Sequence, residues 1–365
     1  MIRNSGYYKV SMEITTGCNF RCVYCPHGNE NVEPRYMSLD KARKTLDQIK
    51  GLGGIEYVEL NLLGEPFLHR NLFEIIDHAN SIKLPVRLIT NGAYLKPGSI
   101  ESLCEHKPAM LKVSVETLDE SVYILLRGAT MYQPYKDYMK TIKGFVMNKR
   151  VRTDLSDVQI QLDLLYVPNW WKRRLAGTLP KDWFLKYIYH DKFTLINDVA
   201  TFLEDMVSGD AAAHIFPLPA PPRSYRLEKL AENFAEIKKS GFSNQIPLYR
   251  LQKNLFITLK SYCSWINIKD KMPTTEVIPC NTDKFGILAD GRVVLCCSDY
   301  DGSTAIGNVF KKPLYDILND RKHHIYALRK GYSVFEMCDN CQGYFSYRHK
   351  LLRGICGHHK KARGL

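Results

Sequence analysis

Cys18-Asn19-Phe20-Arg21-Cys22-Val23-Tyr24-Cys25 is the stretch whose reading decides the fold. Three thiols, separated by three and then by two residues, share one short loop. Thiolates are soft ligands suited to zinc or to the iron of a cluster. A closed zinc site wants a fourth ligand and takes its cysteines from paired modules. Here the only nearby fourth candidate is His27. Three thiolates on one loop suggest instead a cubane cluster whose fourth iron is left open for another ligand.

Around that loop the chain alternates between two periodicities. Residues 7–14 (YYKVSMEI) read as a strand running straight into the cysteines. Ser38 caps a helix with Ala42, Leu46, Ile49 and Leu52 on one face, stopped by Gly53-Gly54. The pattern predicts a second strand over Tyr57–Leu63, ending at Gly64-Glu65-Pro66, then a helix with Leu72, Ile75, Ile76 and Ala79 inward. Strands at 85–90, Leu111–Val115 and 158–167 follow, separated by helices near Ser99–His106, Asp119–Arg127 and Tyr135–Lys149. Strands alternating with helices of this length are parallel βα units, and their chemistry collects at the C-terminal strand ends. The cysteine loop, Gly64-Glu65, Thr90-Asn91 and Ser114–Glu116 all fall at such ends.

Residues 168–254 break the rhythm. They hold Trp170, Trp171 and Trp183, helix candidates at Thr201–Val207 and Leu227–Lys239, and a proline-rich turn from Phe216 to Pro222. This piece reads as an insertion over the barrel mouth, either facing substrate or capping the structure. The rhythm returns at Leu255–Leu259 as a sixth strand. From about Cys263 the composition changes again. Phe285–Leu288 and Arg292–Leu295 flank Asp290-Gly291, a hairpin signal, and six cysteines lie from Cys280 onward. A small module with little core of its own is where a metal staple is needed. The expected divisions are therefore 1–167, a core barrel; 168–254, the insertion; 255–262, the last barrel strand; and 263–365, the cysteine-rich module with a basic tail.

The chain has 365 residues, enough for one large domain and a smaller one, with 45% hydrophobic and 24% charged residues. No apolar run reaches the length of a transmembrane helix, and MIRNSGYYKV lacks the apolar region of a signal peptide. The expectation is a cytoplasmic protein with no membrane partner. Eleven cysteines, an odd number, argue for metal ligation over a disulfide framework. A net charge of +13 is either a solvated basic surface or the footprint of an anionic partner such as nucleic acid or a nucleotide.

The cysteine loop resembles the CxxxCxφC signature of the radical S-adenosylmethionine (SAM) enzymes, with Tyr24 as the aromatic residue. The resemblance covers roughly residues 7–170. It implies that Cys18, Cys22 and Cys25 ligate a [4Fe-4S] cluster whose open iron binds SAM. Gly64-Glu65-Pro66 matches the GGEP motif, with Leu63 in place of its first glycine; by resemblance Glu65 holds the SAM amino group. Asn91 and Ser114-Val115-Glu116 match strand-end positions that contact SAM, and Arg127 matches an arginine paired with its carboxylate. In such enzymes one electron cleaves a C–S bond of SAM, giving a 5′-deoxyadenosyl radical that abstracts hydrogen.

Cys280, Gly291, Cys296 and the pair Cys338 and Cys341 resemble the C-terminal SPASM/twitch module of the same enzymes, with Ile306-Gly307-Asn308-Val309 as a further match. The pattern is closer to the short twitch version with one auxiliary [4Fe-4S] cluster, fully ligated and suited to electron transfer. Cys297 or Cys356 could stand in for an assigned ligand, and a four-cysteine zinc site would use the same residues. Cys104 and Cys263 read as buried structural thiols. The implied fold is α/β: a partial (β/α)6 TIM-type barrel with an insertion and a small twitch-like module. The implied activity is hydrogen abstraction ending in net oxidation or bond formation, with a one-electron reductant such as flavodoxin or ferredoxin. A ribosomally made peptide is the first choice of substrate; an aminocyclitol, a nucleotide or nucleic acid is the alternative. A non-catalytic zinc-binding nucleic-acid protein is the rival from another class.

Overall fold

The computed structural model describes residues 8–128, 132–151, 153–166, 192–208, 227–233, 235, 246–252, 254–261, 284–329, 335 and 337–338. In chain order these form β1 (Tyr8–Met12), α1 (Pro26–Asn29), α2 (Leu39–Leu52), β2 (Ile55–Glu59), α3 (Leu72–Ser81), β3 (Val86–Thr90), α4 (Pro97–His106), β4 (Met110–Glu116), α5 (Glu120–Arg127), α6 (Tyr135–Val151), β5 (Gln159–Tyr166), α7 (Lys192–Ser208), β6 (Ile246–Gln252), β7 (Leu255–Ser261), β8 (Lys284–Ile287), β9 (Arg292–Val294), β10 (Ala305–Asn308) and α8 (Leu314–Arg329). The contacts divide the chain into two units. One comprises Met1–Cys18, Tyr24–Arg87 and Ser264–Leu365; the other comprises Asn19–Val23 and Leu88–Cys263. The residues of β3 are shared between them.

In the first unit the strand order is β10-β9-β8-β1-β2-β3. β1 pairs parallel with β2, and β2 with β3. Val10 and Met12 are wholly buried and Ser11 nearly so. A strand covered on both faces belongs to a parallel sheet under helices. One of those helices is α2. The Ser38 hydroxyl accepts from the Lys41 amide at 3.4 Å, Ala42, Leu46 and Ile49 are buried, and the chain leaves through Gly53 at φ 66°. The sequence had specified each of these features.

Two expectations are corrected here. The second strand ends at Glu59 rather than Leu63. Leu62 and Leu63 turn away to pack with Leu288, Val294 and Tyr300, and burying each is worth about 2 kcal/mol. An apolar run cannot by itself distinguish continued pairing from packing in a turn. The hairpin around Asp290-Gly291 forms as expected, β8 against β9, but this part of the small module, expected to have little core of its own, is not separate from the larger sheet. β8 adds to the barrel sheet, parallel to β1, with Val10 opposite Phe285 and Met12 opposite Ile287. α8 follows the hairpin and packs against β10 and α2.

In the second unit the order is β3-β4-β5-β7-β6. β4, β5 and β7 are parallel neighbours, so Leu255–Ser261 is the last parallel strand of this series. The six strands β1 to β5 and β7 are those of the expected partial (β/α)6 barrel. Asp119 caps α5 by accepting from the Val122 amide at 2.8 Å, and α5 ends at Gly128 in the left-handed region. β6 was not foreseen. It pairs antiparallel with β7 as an edge strand inside the stretch read as insertion. Pro247 within it lowers its strand signal, and an edge is where a strand tolerates proline. α7 is longer than the expected Thr201–Val207. Trp170, Trp171, Trp183, the Phe216–Pro222 turn, Cys263 and the basic tail lie outside the described residues. Among the described residues, no helix is long and apolar enough to cross a membrane.

Candidate active site

In the first unit, β1 leads into a loop fixed by its own threonines. Thr15 Oγ1 accepts from the Gly17 amide at 2.9 Å, and the Thr16 hydroxyl donates to the Glu33 carbonyl and accepts from the Arg35 amide. Against this loop lies the turn after β2. The Glu65 amide donates to the Gly17 carbonyl at 2.8 Å. A Cβ on Gly64 would sit 2.2 Å from the Thr15 carbonyl oxygen and 2.7 Å from that of Gly17. Glycine is required at 64 by close backbone approach. Leu63 is tolerated where the motif has its other glycine because its side chain is buried in the hydrophobic cluster described above. Glu65 is 2% exposed, and its Oε1 accepts from the Phe67 amide at 3.2 Å. Cys18, Tyr24 and Cys25 are half-buried in the loop; Cys25 precedes Pro26 at the start of α1 and packs on the Leu62–Leu63 cluster. His27, the second residue of α1, is buried.

In the second unit the middle of the cysteine loop is clamped to α5. The Arg21 amide donates to the Arg127 carbonyl and the Val23 amide to the Leu126 carbonyl. A Cβ on Gly128, at φ 57°, would meet the Arg21 carbonyl oxygen at 2.8 Å. Arg127 is 2% exposed. Its Nη1 donates to Cys22 Sγ at 3.7 Å, its Nη2 donates to the Ser114 carbonyl, and the guanidinium lies 5.2 Å from the Phe20 ring. A buried cation needs such partners. Asn91 follows β3; its Nδ2 donates to Asn19 Oδ1 at 2.7 Å, and its carbonyl accepts from the Tyr138 hydroxyl at 3.0 Å. Cys22, Asn91, Ser114 and Arg127 are thus brought together.

Glu116 closes β4 at φ 71°, beside an irregularity in the β4–β5 register. A left-handed non-glycine residue at a strand end is a local strain that re-aims its side chain. Glu116 Oε1 lies 3.6 Å from Lys260 Nζ, while its buried Oε2 has no hydrogen-bond partner among the described residues. Sequence reading missed the groups around it. Asp163 on β5 is 1% exposed, takes a hydrogen bond from Thr258, and has its carboxyl raised above the usual carboxylate range by burial. The available signal was a single acid inside a strand whose second half is otherwise apolar. A single acid in YYKVSMEI likewise marked Glu13. A cavity of about 970 Å³ among α4, α6 and α7 is lined by none of the predicted site residues.

Of the second cysteine group, Cys280 and Cys341 lie outside the described residues, as does Cys356. Cys338 packs beside Leu295 and Ile325, next in sequence to Cys296. Cys297 lies near Lys284, whose ammonium is raised above the usual lysine value by that thiol and by Glu59, against the cost of burial. Glu59 and Lys284 form a partly buried ion pair. Cys104 is buried in α4.

The donors fit the groups expected of them. None of the described cysteines is in a disulfide. Soft thiolates and a guanidinium against one of them suit an anionic iron–sulfur cluster. Among the described residues, no group of three or more His, Cys, Asp or Glu side chains is gathered as a single metal ion requires. A cubane spreads its ligands more widely than one ion.

Parallel βα units collect their chemistry at the C-terminal strand ends, which is where the cysteine loop follows β1. Residues 12–152 match the radical SAM superfamily model, and residues 274–342 match that of the SPASM iron–sulfur cluster-binding domain. SAM, a [4Fe-4S] cluster and auxiliary iron–sulfur ligation are the chain's cofactors. The chain is 24% identical over 119 residues to the mycofactocin maturase MftC of Mycolicibacterium smegmatis, covering 33% of this chain and 30% of that one. It is 28% identical to an S-adenosylmethionine-dependent nucleotide dehydratase of Selenomonas ruminantium, covering 36% and 48%. The matches thus span about a third to a half of these relatives. Streptococcus suis SuiB bound to S-adenosylmethionine shares the fold at 15% identity and a TM-score of 0.55, over 96% of this chain and 75% of that one; a second structure of SuiB holds the precursor peptide SuiA.

Proposed function

We propose that this protein cleaves SAM reductively at the Cys18, Cys22 and Cys25 cluster and uses the product to abstract hydrogen from a ribosomally made peptide. When bound, the cluster and SAM supply one electron and a 5′-deoxyadenosyl radical. The chain supplies the rest. Arg127 holds the Cys22 sulfur and the end of β4 in register through buried hydrogen bonds. Glu65, fixed by Gly17 and Gly64, receives the SAM amino group, and Glu116 and Asn91 position its remaining polar groups. The observation that carries the reading is the burial of Arg127 between Cys22 and Ser114, which ties a thiolate ligand to a strand end. Cys280, Cys296, Cys338 and Cys341 hold one auxiliary cluster that accepts an electron from the substrate, so the net reaction is an oxidation or bond formation. A flavodoxin- or ferredoxin-type donor in the cytoplasm supplies the reductant. The insertion over 168–254 provides substrate contacts. The peptide choice is supported by the names of MftC and of SuiB with its precursor peptide.

The test is release of 5′-deoxyadenosine from SAM by anaerobic, dithionite-reduced protein, compared with Cys22→Ala. Release by the wild type alone is expected; none from either abandons the reading. A nucleotide substrate is the second reading, favoured by the net charge of +13 and by the dehydratase relative. Mass spectrometry of peptide and nucleotide pools after turnover separates them: the peptide reading requires a peptide that has lost two hydrogens. Steep weakening of nucleic-acid binding with salt would point to phosphate contacts instead.

A further inference from the structure

Three buried polar side chains converge on the peptides that lead into Cys296. Arg321 of α8 is 5% exposed. Its Nε and Nη2 donate to the Leu295 carbonyl at 3.3 and 3.0 Å, and Nη2 also donates to the Lys284 carbonyl at 3.2 Å. The Leu295 amide donates to Thr304 Oγ1 at 3.0 Å, and that hydroxyl donates to Asp299 Oδ2 at 2.6 Å. The Asp299 amide closes the turn by donating to the Cys296 carbonyl at 3.4 Å. Asp299 and Thr304 are wholly buried. The Leu295 side chain packs on Ile325 of α8, with Cys338 beside them. The residue before one auxiliary thiol is therefore held at its amide and its carbonyl, while a second thiol lies against its side chain. A buried polar network is costly unless its members are satisfied, and the apolar contact of Leu295 with Ile325 already docks the helix.

We propose that Arg321 is a positioning residue of the auxiliary iron–sulfur site: it fixes the Leu295–Cys296 peptide that presents the thiolate, and its buried positive charge favours uptake of the electron that the substrate gives up. The proposal rests on the reading of Cys296 as a ligand. A guanidinium is always charged, and its fork reaches two carbonyls at once. The Phe285 ring, 5.7 Å away, covers it further. One electron added to a cluster adds one negative charge, and a fixed cation in a poorly solvated setting stabilises that charge. Arg127 reaches Cys22 at the sulfur itself. Arg321 acts one residue upstream, through the backbone, and leaves the thiol open to iron.

The test is iron content and an EPR-monitored redox titration of the full-length chain carrying Cys18→Ala/Cys22→Ala/Cys25→Ala, purified anaerobically, so that the signal comes from the C-terminal cysteines. Arg321→Gln keeps an N–H donor and drops the charge. It should lower the reduced-to-oxidised ratio at a fixed potential by on the order of tenfold, about 59 mV for one electron. Arg321→Lys keeps the charge and should titrate closer to its parent than Arg321→Gln does. Lys149→Gln is the control for a purely structural loss. Lys149 is wholly buried and donates to the Leu155 and Val158 carbonyls, so this variant should lose stability in urea with iron and midpoint unchanged. Cys296→Ala should release the iron; if it keeps it, the reading of Cys296 fails first and the proposal with it. If Cys296→Ala is iron-free while Arg321→Gln holds iron and titrates like its parent, the Arg321 proposal alone is overturned. Should Arg321→Gln not fold, Arg321→Lys decides: a midpoint like the parent's supports the proposal, and one lowered by about tenfold in that ratio overturns it.

Discussion

Replacing Gly64 by alanine adds one methyl group where the backbone leaves no space for it. The new Cβ would lie 2.2 Å from the Thr15 carbonyl oxygen and 2.7 Å from that of Gly17. Neither oxygen is on a flexible side chain, and the Thr15–Cys18 segment is held by Gly17, Glu33, Arg35 and Glu65. Relief to ordinary contact needs a shift of about 1 Å, and overpacking of this kind costs about 1–3 kcal/mol. Moving the turn also weakens the Glu65–Gly17 hydrogen bond, worth about 1 kcal/mol. We expect a loss of about 2–4 kcal/mol in urea unfolding, with SAM affinity falling further than stability because Glu65 is displaced with the turn. Gly144→Ala is the control: it lies in α6, its Cβ would meet nothing within 4 Å, and it should stabilise by about 0.5–1 kcal/mol. A Gly64→Ala protein that unfolds and binds SAM like wild type would refute the close packing of the turn on the cysteine loop.

Other outcomes follow from the same contacts. Arg127→Met leaves the Ser114 carbonyl and Cys22 without their buried donor and should cost about 2–4 kcal/mol, with loss of iron from the purified protein; Arg127→Lys should not restore the iron, since an ammonium cannot reproduce the fork. Gly128→Ala, at φ 57° and facing the Arg21 carbonyl, should cost at least about 1–2 kcal/mol in urea melts. Glu13 gives the stability curve a definite sign. Its carboxyl is raised from 4.5 to about 7, so the unfolded chain loses this proton first. Stability is full below about pH 4.5 and declines as pH rises to about 7, by about 3 kcal/mol. Glu13→Gln should abolish that decline, and a curve that slopes like wild type would contradict it.

Much of this arrangement is readable from local pattern. Ser38 and Gly53 bound α2, Asp119 and Gly128 bound α5, and Asp290-Gly291 turns the hairpin because each acts through its neighbours in sequence. The thiol spacing of Cys18, Cys22 and Cys25 is similarly local. What escaped was non-local. Nothing in residues 284–287 states that they will pair with β1, and nothing in Leu62-Leu63 states that they will pack on Leu288 instead of extending β2. Pro247 hid an edge strand. Glu13 and Asp163 were visible as the single acids of their segments, but their partners, Ala289 and Thr258, are 276 and 95 residues away.

The central claim is that the N-terminal loop carries a cluster. Iron and sulfide should be measured on anaerobically purified wild type and on the triple variant Cys18→Ala/Cys22→Ala/Cys25→Ala. About eight irons falling to about four is the predicted result, one cubane from each cysteine group. No iron, with stoichiometric zinc in its place, would contradict the account at its root.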